Sequence, residues 1–142
     1  MEDSQHIVEE LVAAFSAGDL DRAMALDHDD AMFQEFPSHS DPITGVDQIR
    51  EVFAAAAAPF SDIALETLSV VTEGNRLASE TRQTARYSTS IEEFPQVAGQ
   101  AVDFRFVSFL ELENGRISRD TTFTDLFTLL VQIGAIPAPG TA

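Results

Sequence analysis

The sequence contains no cysteine and no lysine, and both absences limit what the protein can do. Without cysteine, disulfide bonds and thiolate metal sites are excluded, although the redox compartment stays open. The three histidines, His6, His28 and His39, do not have the spacing of metal ligands. The sequence also has no glycine-rich phosphate loop. We therefore expect neither a metal nor an organic cofactor.

Basic residues are scarce, because 24 acidic residues stand against 8 arginines and the formal net charge is −16. Such a surface repels phosphate backbones and anionic membranes, so neither nucleic acid nor a membrane is an expected partner. An acidic surface without lysine is typical of a protein adapted to high salt. It is also typical of a GC-rich genome, in which arginine codons replace lysine codons. Both explanations stay open here.

Long apolar runs are missing as well. No segment approaches the ~20 residues that a membrane span needs, and the N-terminus is acidic where a signal peptide would be basic. We therefore expect a soluble, cytoplasmic protein. A chain of 142 residues with 44% hydrophobic content can bury one sizeable core. The prediction is a single domain over residues 1–136 and a disordered tail over residues 137–142.

Hydrophobic periodicity divides the chain into helical and extended parts. Helical spacing predicts helices over 4–18, 19–26, 45–58 and 125–134. Alternation with a period of two predicts strands over 32–36, 63–72, 76–90 and 101–112, and a last strand that carries Arg119-Asp120. Gly-containing turns join the later strands, and Pro95 with Gly99 marks a loop. Segregated helices and antiparallel strands predict an α+β fold in which helices close one side of a curved sheet.

Four segments carry a resemblance that covers nearly the whole chain. They are Pro59-Phe60-Ser61-Asp62-Ile63, Glu113-Asn114-Gly115-Arg116-Ile117, Arg119-Asp120 and Gln132-Ile133-Gly134. This layout resembles the SnoaL-like polyketide cyclase branch of the nuclear transport factor 2-like superfamily. The resemblance implies a cone-shaped curved antiparallel sheet, with N-terminal helices packed on its concave side and a short C-terminal helix. It also implies a homodimer. The scaffold hosts isomerases, cyclases, epoxide hydrolases, dehydratases and non-catalytic binders.

Three shorter segments resemble the active-site strands of limonene-epoxide hydrolase. They are Met32-Phe33-Gln34-Glu35-Phe36-Pro37, Arg82-Gln83-Thr84 and Arg119-Asp120. The resemblance implies that Arg82 is the active-site arginine and that Asp120 is the base. Phe33, Glu35 and Thr84 stand where that family has a tyrosine, an asparagine and a proton-donating aspartate.

Strand alternation suggests how these residues could form a site. It groups Phe33 with Glu35, Arg82 with Thr84, and Asp120 with Ser118 and Thr122. If the three faces converge, two carboxylates share one arginine against an apolar wall that includes Phe33, Phe104 and Phe106. One carboxylate would then stay ionised while the other is held protonated. The alternative is a structural ion pair of Arg82 with Asp120 or Glu35.

We therefore expect a cofactor-independent enzyme that acts on a small apolar metabolite by ring closure, isomerisation or water addition. Asp120 would be the general base or acid, with Glu35 and Arg82 in support. Substrate would contact Phe33, Thr84, Phe104, Phe106, Ser118 and Tyr87. Two alternatives stay open: a non-catalytic binding module in which Arg82 fixes the polar end of a ligand, and a protein–protein adaptor. His39 could line an entrance, while His28 with Asp30 is typical of a helix end.

The net charge of −16 generates a first prediction about stability. Salt screens repulsion between exposed carboxylates, so the melting temperature should rise between low and molar potassium chloride. Differential scanning fluorimetry at constant pH measures this trend. A melting temperature that is flat or falls would contradict adaptation to high salt.

Overall fold

The computed structural model describes residues 2–88 and 99–140. These described residues form four helices and one six-stranded sheet. The helices are α1 (Glu2–Ser16), α2 (Leu20–Met24), α3 (Val46–Ala57) and α4 (Leu126–Gln132). The strands are β1 (Asp27–Phe36), β2 (His39–Thr44), β3 (Phe60–Glu73), β4 (Arg76–Tyr87), β5 (Gln100–Glu113) and β6 (Arg116–Thr124). This arrangement confirms the predicted α+β class.

The sheet is curved and open, with the strand order β2-β1-β6-β5-β4-β3. Neighbouring strands are antiparallel except for β1 and β6, which run parallel at the junction between the first and last strands. The parallel pair is possible because α3 and four strands separate β1 from β6 in the chain. This junction brings residues from opposite ends of the sequence side by side.

Two differences from the predicted elements have simple physical causes. The second helix ends at Met24, and β1 then begins at Asp27, because the acidic run that follows Leu26 hides a strand start. The strand β2 was not predicted, since its polar sequence has no alternation. The predicted end of the strand 76–90 and the loop at Pro95 lie outside the described residues, as do the last two residues of the predicted tail.

One face of the sheet, called the inner face below, carries the core under the helices. Ile7 and Val8 of α1 pack against Leu77, Leu110 and Ile117 of three different strands. A second cluster joins α2 and α3 to β1, and a third joins the ends of β4 and β5 to Ile133 beside α4. Among the described residues, no helix is long and apolar enough to cross a membrane. The cytoplasmic location stays a prediction.

The opposite face, called the outer face, exposes aromatic side chains. Phe109 and Phe123 are 49% and 47% exposed, and their ring centroids lie 6.1 Å apart. Phe36 stacks on Phe123 at 4.8 Å. Contiguous aromatic surface of this kind is uncommon on a monomer, because covering it removes apolar area from water.

We propose that a second copy of the chain covers the outer face, as the expected homodimer requires. Phe109→Asp should then shift the mass in multi-angle light scattering from dimer towards monomer, because it places a charge within the apolar contact. Ala13→Asp adds the same charge to the exposed surface of α1 and should leave the mass unchanged. A wild-type protein that is monomeric at low and at molar salt would overturn the dimer.

Candidate active site

A β-bulge in β6 determines which way Asp120 points. Asp120 pairs with Leu110 and Arg119 with Glu111, but the next residue of β5, Leu112, pairs with Ile117. Ser118 is therefore the extra residue, and its hydroxyl donates to the Glu111 carbonyl at 3.1 Å. Strict alternation from buried Ile117 would turn Asp120 outward, and the bulge turns it inward. Ser118 was expected to face the substrate, and its bond to the backbone corrects that placement.

Asp120 ends a chain of hydroxyl groups. The Thr122 hydroxyl donates to Oδ1 of Asp120 at 2.7 Å, and Ser108 Oγ lies 2.8 Å from Thr122 Oγ1. A threonine hydroxyl has one proton, so Ser108 donates to Thr122 whenever Thr122 donates to Asp120. Ser108 and Thr122 are buried and pair across β5 and β6. The chain thus fixes one oxygen of the carboxyl, while the partly buried side chain keeps some access to solvent.

Burial raises the pKa of Asp120 to about 7, well above that of an ordinary aspartate. The Thr122 hydrogen bond favours the charged form and opposes this shift, whereas the negative charge of Glu35 adds to it. A carboxyl that titrates near neutral pH can both accept and release a proton under physiological conditions. This property is unusual for an aspartate and is typical of functional sites.

Glu35 lies on the same inner face, one strand away. Its strand β1 pairs with β6 so that Phe33 is beside Asp120 and Glu35 is beside Thr122. Thr124 Oγ1 donates to Oε2 of Glu35 at 2.8 Å. Thr122 and Thr124 of β6 thus bind the carboxyls of Asp120 and Glu35. The sequence-based hypothesis required β1 and β6 to converge in this way.

Glu35 also forms part of the wall of a cavity of about 630 Å³ between α3 and the β1–β2 hairpin. Its apolar lining residues are Ile43, Val52, Ala55 and Ala56. Its polar lining residues are Glu35, Ser38, His39, Gln48 and Glu51. For His39 the sequence favoured a surface position over the lining of an entrance, and the residue is among those that line this cavity. No arginine lines this cavity within the described part of the chain.

A third carboxyl, Asp27, was not predicted from the sequence. It is only 8% exposed at the start of β1, beside Ile117 of β6. Burial and, to a smaller extent, the charge of Asp120 raise the pKa of Asp27 to about 7, and the charge of Arg116 opposes this rise. The signal in the sequence was weak, because Asp27 begins the run Asp27-His28-Asp29-Asp30 that indicated a helix end.

The expectation that Arg82 shares the site with Asp120 is wrong. Thr81 of β4 faces inward opposite Phe106, so Arg82 faces outward. Its Nε and Nη2 donate to the two carboxylate oxygens of Asp103 at 2.9 and 2.6 Å. This exposed pair lowers the pKa of Asp103 through the hydrogen bond and the charge of Arg82. The alternative, a structural ion pair of Arg82 with Asp120 or Glu35, is therefore wrong as well, because the acid that binds Arg82 is Asp103.

The remaining predicted substrate contacts separate into three groups. Phe33 and Phe106 lie on the inner face near the carboxyls, because Phe33 pairs with Asp120 and Phe106 with Thr124. Phe33 is 1% exposed and packs edge-on against Phe53 at 4.9 Å, so it supports the site from below.

Thr84 lies on the outer face opposite Asp103, with Arg82. Phe104 and Tyr87 are buried in the third core cluster, at the end of the sheet covered by α4. Tyr87 pairs with Gln100 at the far end of β5 from Leu110, the partner of Asp120. The site predicted from the sequence therefore keeps Asp120, Glu35, Phe33 and Phe106. Five predicted residues lie elsewhere. Arg82 and Thr84 are on the outer face, Phe104 and Tyr87 are in the core, and Ser118 is the extra residue of the bulge.

The profile of the SnoaL-like domain matches residues 8–120. The chain belongs to this family. The structure is similar to that of AclR, a candidate hydroxylase from Streptomyces galilaeus, which is 23% identical with a TM-score of 0.84 over 96% of this chain and 99% of that chain. A candidate polyketide cyclase from Xanthomonas campestris is 20% identical with a TM-score of 0.83, covering 93% and 97%.

The structure of an LEH-like epoxide hydrolase from M. tuberculosis is also similar, at 15% identity and a TM-score of 0.70 over 94% of this chain and 91% of that chain. At these identities the likeness shows the SnoaL-like fold alone, since this fold carries several chemistries. No curated protein matches the chain.

The two raised pKa values predict how stability depends on pH. Between about pH 4 and about pH 7 the folded chain binds more protons at Asp27 and Asp120 than the unfolded chain does. Their contribution is fully present below about pH 4 and is lost as the pH rises through about 7. Free energies of unfolding from urea titrations should therefore fall from about pH 5 to about pH 8.

Two variants separate this effect from surface repulsion. Asp27→Asn should flatten the pH dependence, because it removes one buried titrating group. Asp41→Asn removes a charge from an exposed position of β2 and should leave the slope unchanged. Equal slopes in the wild type and in Asp27→Asn would contradict the assignment of the effect to the buried carboxyl.

Proposed function

We propose that this protein is a cofactor-independent enzyme that performs acid–base chemistry on a small, largely apolar metabolite. The observation that carries the proposal is Asp120, a partly buried carboxyl that titrates near neutral pH and is held by Thr122. Structural stability does not require such a group, because an apolar residue at this position would avoid the cost of burying a carboxyl. The apolar residues among those that line the neighbouring cavity support a substrate with a hydrocarbon body.

In this proposal Asp120 is the base. It removes a proton from a carbon next to a carbonyl group or from a water molecule, and negative charge develops on an oxygen of the substrate. Asp120 then returns that proton to the developing product, and Glu35 supports the step because its charge increases the proton affinity of Asp120. Arg82 has no part in this step, since its guanidinium is bound to Asp103 on the outer face. The reaction class is ring closure, isomerisation or water addition.

A non-catalytic binding module is the second candidate. The apolar residues of α3 that line the cavity favour it, because they could hold a ligand without any chemistry. This alternative no longer has Arg82 to fix a polar group, so the ligand would be anchored by Glu35 or His39. Binding and turnover measured on the same variants distinguish the two candidates.

The test uses Asp120→Asn in a screen against enolisable ketones, β-keto esters and epoxides. The substitution keeps the shape of the side chain and removes the base, so turnover should fall roughly 10²–10⁴-fold while binding survives. Glu35→Gln should reduce turnover less and should shift the pH profile of kcat/KM. Asp103→Asn on the outer face is the matched control and should retain the wild-type rate.

A folded Asp120→Asn protein that turns over a substrate at the wild-type rate would overturn the catalytic assignment. Thermal melting and circular dichroism of each variant identify losses that come from unfolding. A ligand that binds the wild type and Asp120→Asn equally, without turnover in either, would favour the binding module.

A further inference from the structure

Asp27 is a buried carboxyl with no hydrogen-bond partner in the part of the chain that the structure describes. It is 8% exposed, and the nearest basic group that affects it is Arg116, an exposed residue of β6. The Arg116 guanidinium is itself directed at the Ala25 carbonyl, at 3.5 Å. Burying a carboxyl without hydrogen bonds is costly, so the position calls for an explanation beyond packing.

The irregular pairing of β1 and β6 places Asp27 on the same inner face as Asp120. Asp27 pairs with Ile117 and Met32 pairs with Arg119, so β1 uses five residues to cover the distance that β6 covers in two. The Ser118 bulge lies at the same point of β6. These two irregularities bring both aspartates inward, where their charges interact.

The groups that face the pair are few. Glu35 of β1 acts on Asp120, Arg116 of β6 acts on Asp27, and the Thr122 hydroxyl bonds to Asp120. The imidazole of His28 is turned away, because its Nε2 is bonded to the Glu113 carbonyl. Around Ile117 the helix α1 and the strand β5 contribute the apolar residues Ile7, Val8, Leu110 and Leu112. Glu111 and Arg119 pair with each other on the outer face.

These surroundings stabilise a negative charge on Asp120 more than on Asp27. Asp120 has a hydroxyl donor and partial access to solvent, and both stabilise a negative charge. Asp27 has neither, and a second charge beside Asp120 would be repelled. We propose that Asp27 and Asp120 form a carboxyl pair with a single proton, which Asp27 holds while Asp120 carries the charge.

The pair has a consequence for the site. Below neutral pH Asp27 is uncharged, so it does not increase the proton affinity of Asp120, which is then a moderate base. Above neutral pH Asp27 ionises, and its charge increases the proton affinity of Asp120. Asp27 is thus a positioning residue that acts through Asp120 without touching the substrate. This consequence for the reaction rests on the proposed function, whereas the pairing itself does not.

The test follows the side-chain carboxyl ¹³C signals of labelled protein as a function of pH, which requires no substrate. In Asp120→Asn the midpoint of Asp27 should fall by on the order of one pH unit, because the neighbouring charge is gone. In Arg116→Gln the midpoint of Asp27 should rise, because the cation that favours its charged form is removed. Asp103→Asn should move neither midpoint.

Asp27→Asn completes the set. Its Asp120 signal should titrate in one step, without the second inflection that Asp27 causes in the wild type. If Asp27→Asn fails to fold, Asp120→Asn and Arg116→Gln still measure the coupling. An unchanged Asp27 midpoint in Asp120→Asn, or ionisation of Asp27 before Asp120 in the wild type, would overturn the pair.

Once a substrate is known, a kinetic arm tests the positioning role. Asp27→Asn should have the same acidic limb of the pH profile of kcat/KM as the wild type. Above neutral pH it should not show the change in kcat/KM that ionisation of Asp27 causes in the wild type. Identical profiles in the wild type and in Asp27→Asn would overturn the positioning role. If no substrate is ever turned over, the proposed function fails, and the NMR result still decides whether the pair exists.

Discussion

The extra residue at Ser118 is the constraint on which the candidate site depends. Without it, the alternation that buries Ile117 would send Asp120 to the outer face, where Arg119 now lies. The bulge keeps Ile117 in the core beneath α1 and still turns Asp120 inward. Because β6 is paired on both edges, the same shift also fixes the position of Asp120 relative to Phe33 and Glu35 of β1. One unpaired residue, Ser118, thus allows both Ile117 and Asp120 to point inward from the same strand.

The sequence allowed much of the fold to be predicted and only part of the site. Periodicity indicated the helices and the long strands, because each segment buries one face. Alternation grouped Arg82 with Thr84 correctly, but it could not say which face of β4 is inward, and the ion pair with Asp103 shows the choice was wrong. Asp27 was missed for another reason: its burial depends on pairing with Ile117, a contact between distant parts of the chain.

The carboxyls illustrate why a site is harder to predict than a fold. A buried aspartate and an exposed one look alike in sequence, and their proton affinities differ only through desolvation and neighbouring charge. Here Arg82, which was expected beside Asp120, binds Asp103 on the outer face. Desolvation is therefore the largest cause of the raised pKa of Asp120. The net charge of the chain is −16, so the overall electrostatic field does not oppose the rise in the pKa of Asp120.

The same electrostatics restrict the substrate. A ligand with its own carboxylate would approach the carboxyls of Glu35 and Asp120, and the described residues place no arginine in the wall of the cavity that Glu35 lines. It would therefore lose hydration without gaining an ion pair. A neutral carbonyl or epoxide oxygen carries no charge for these carboxyls to repel. The hydrocarbon part can lie against Ile43 and Val52 in the same cavity. Charge and shape together therefore favour an uncharged, oxygen-bearing substrate over an anionic one.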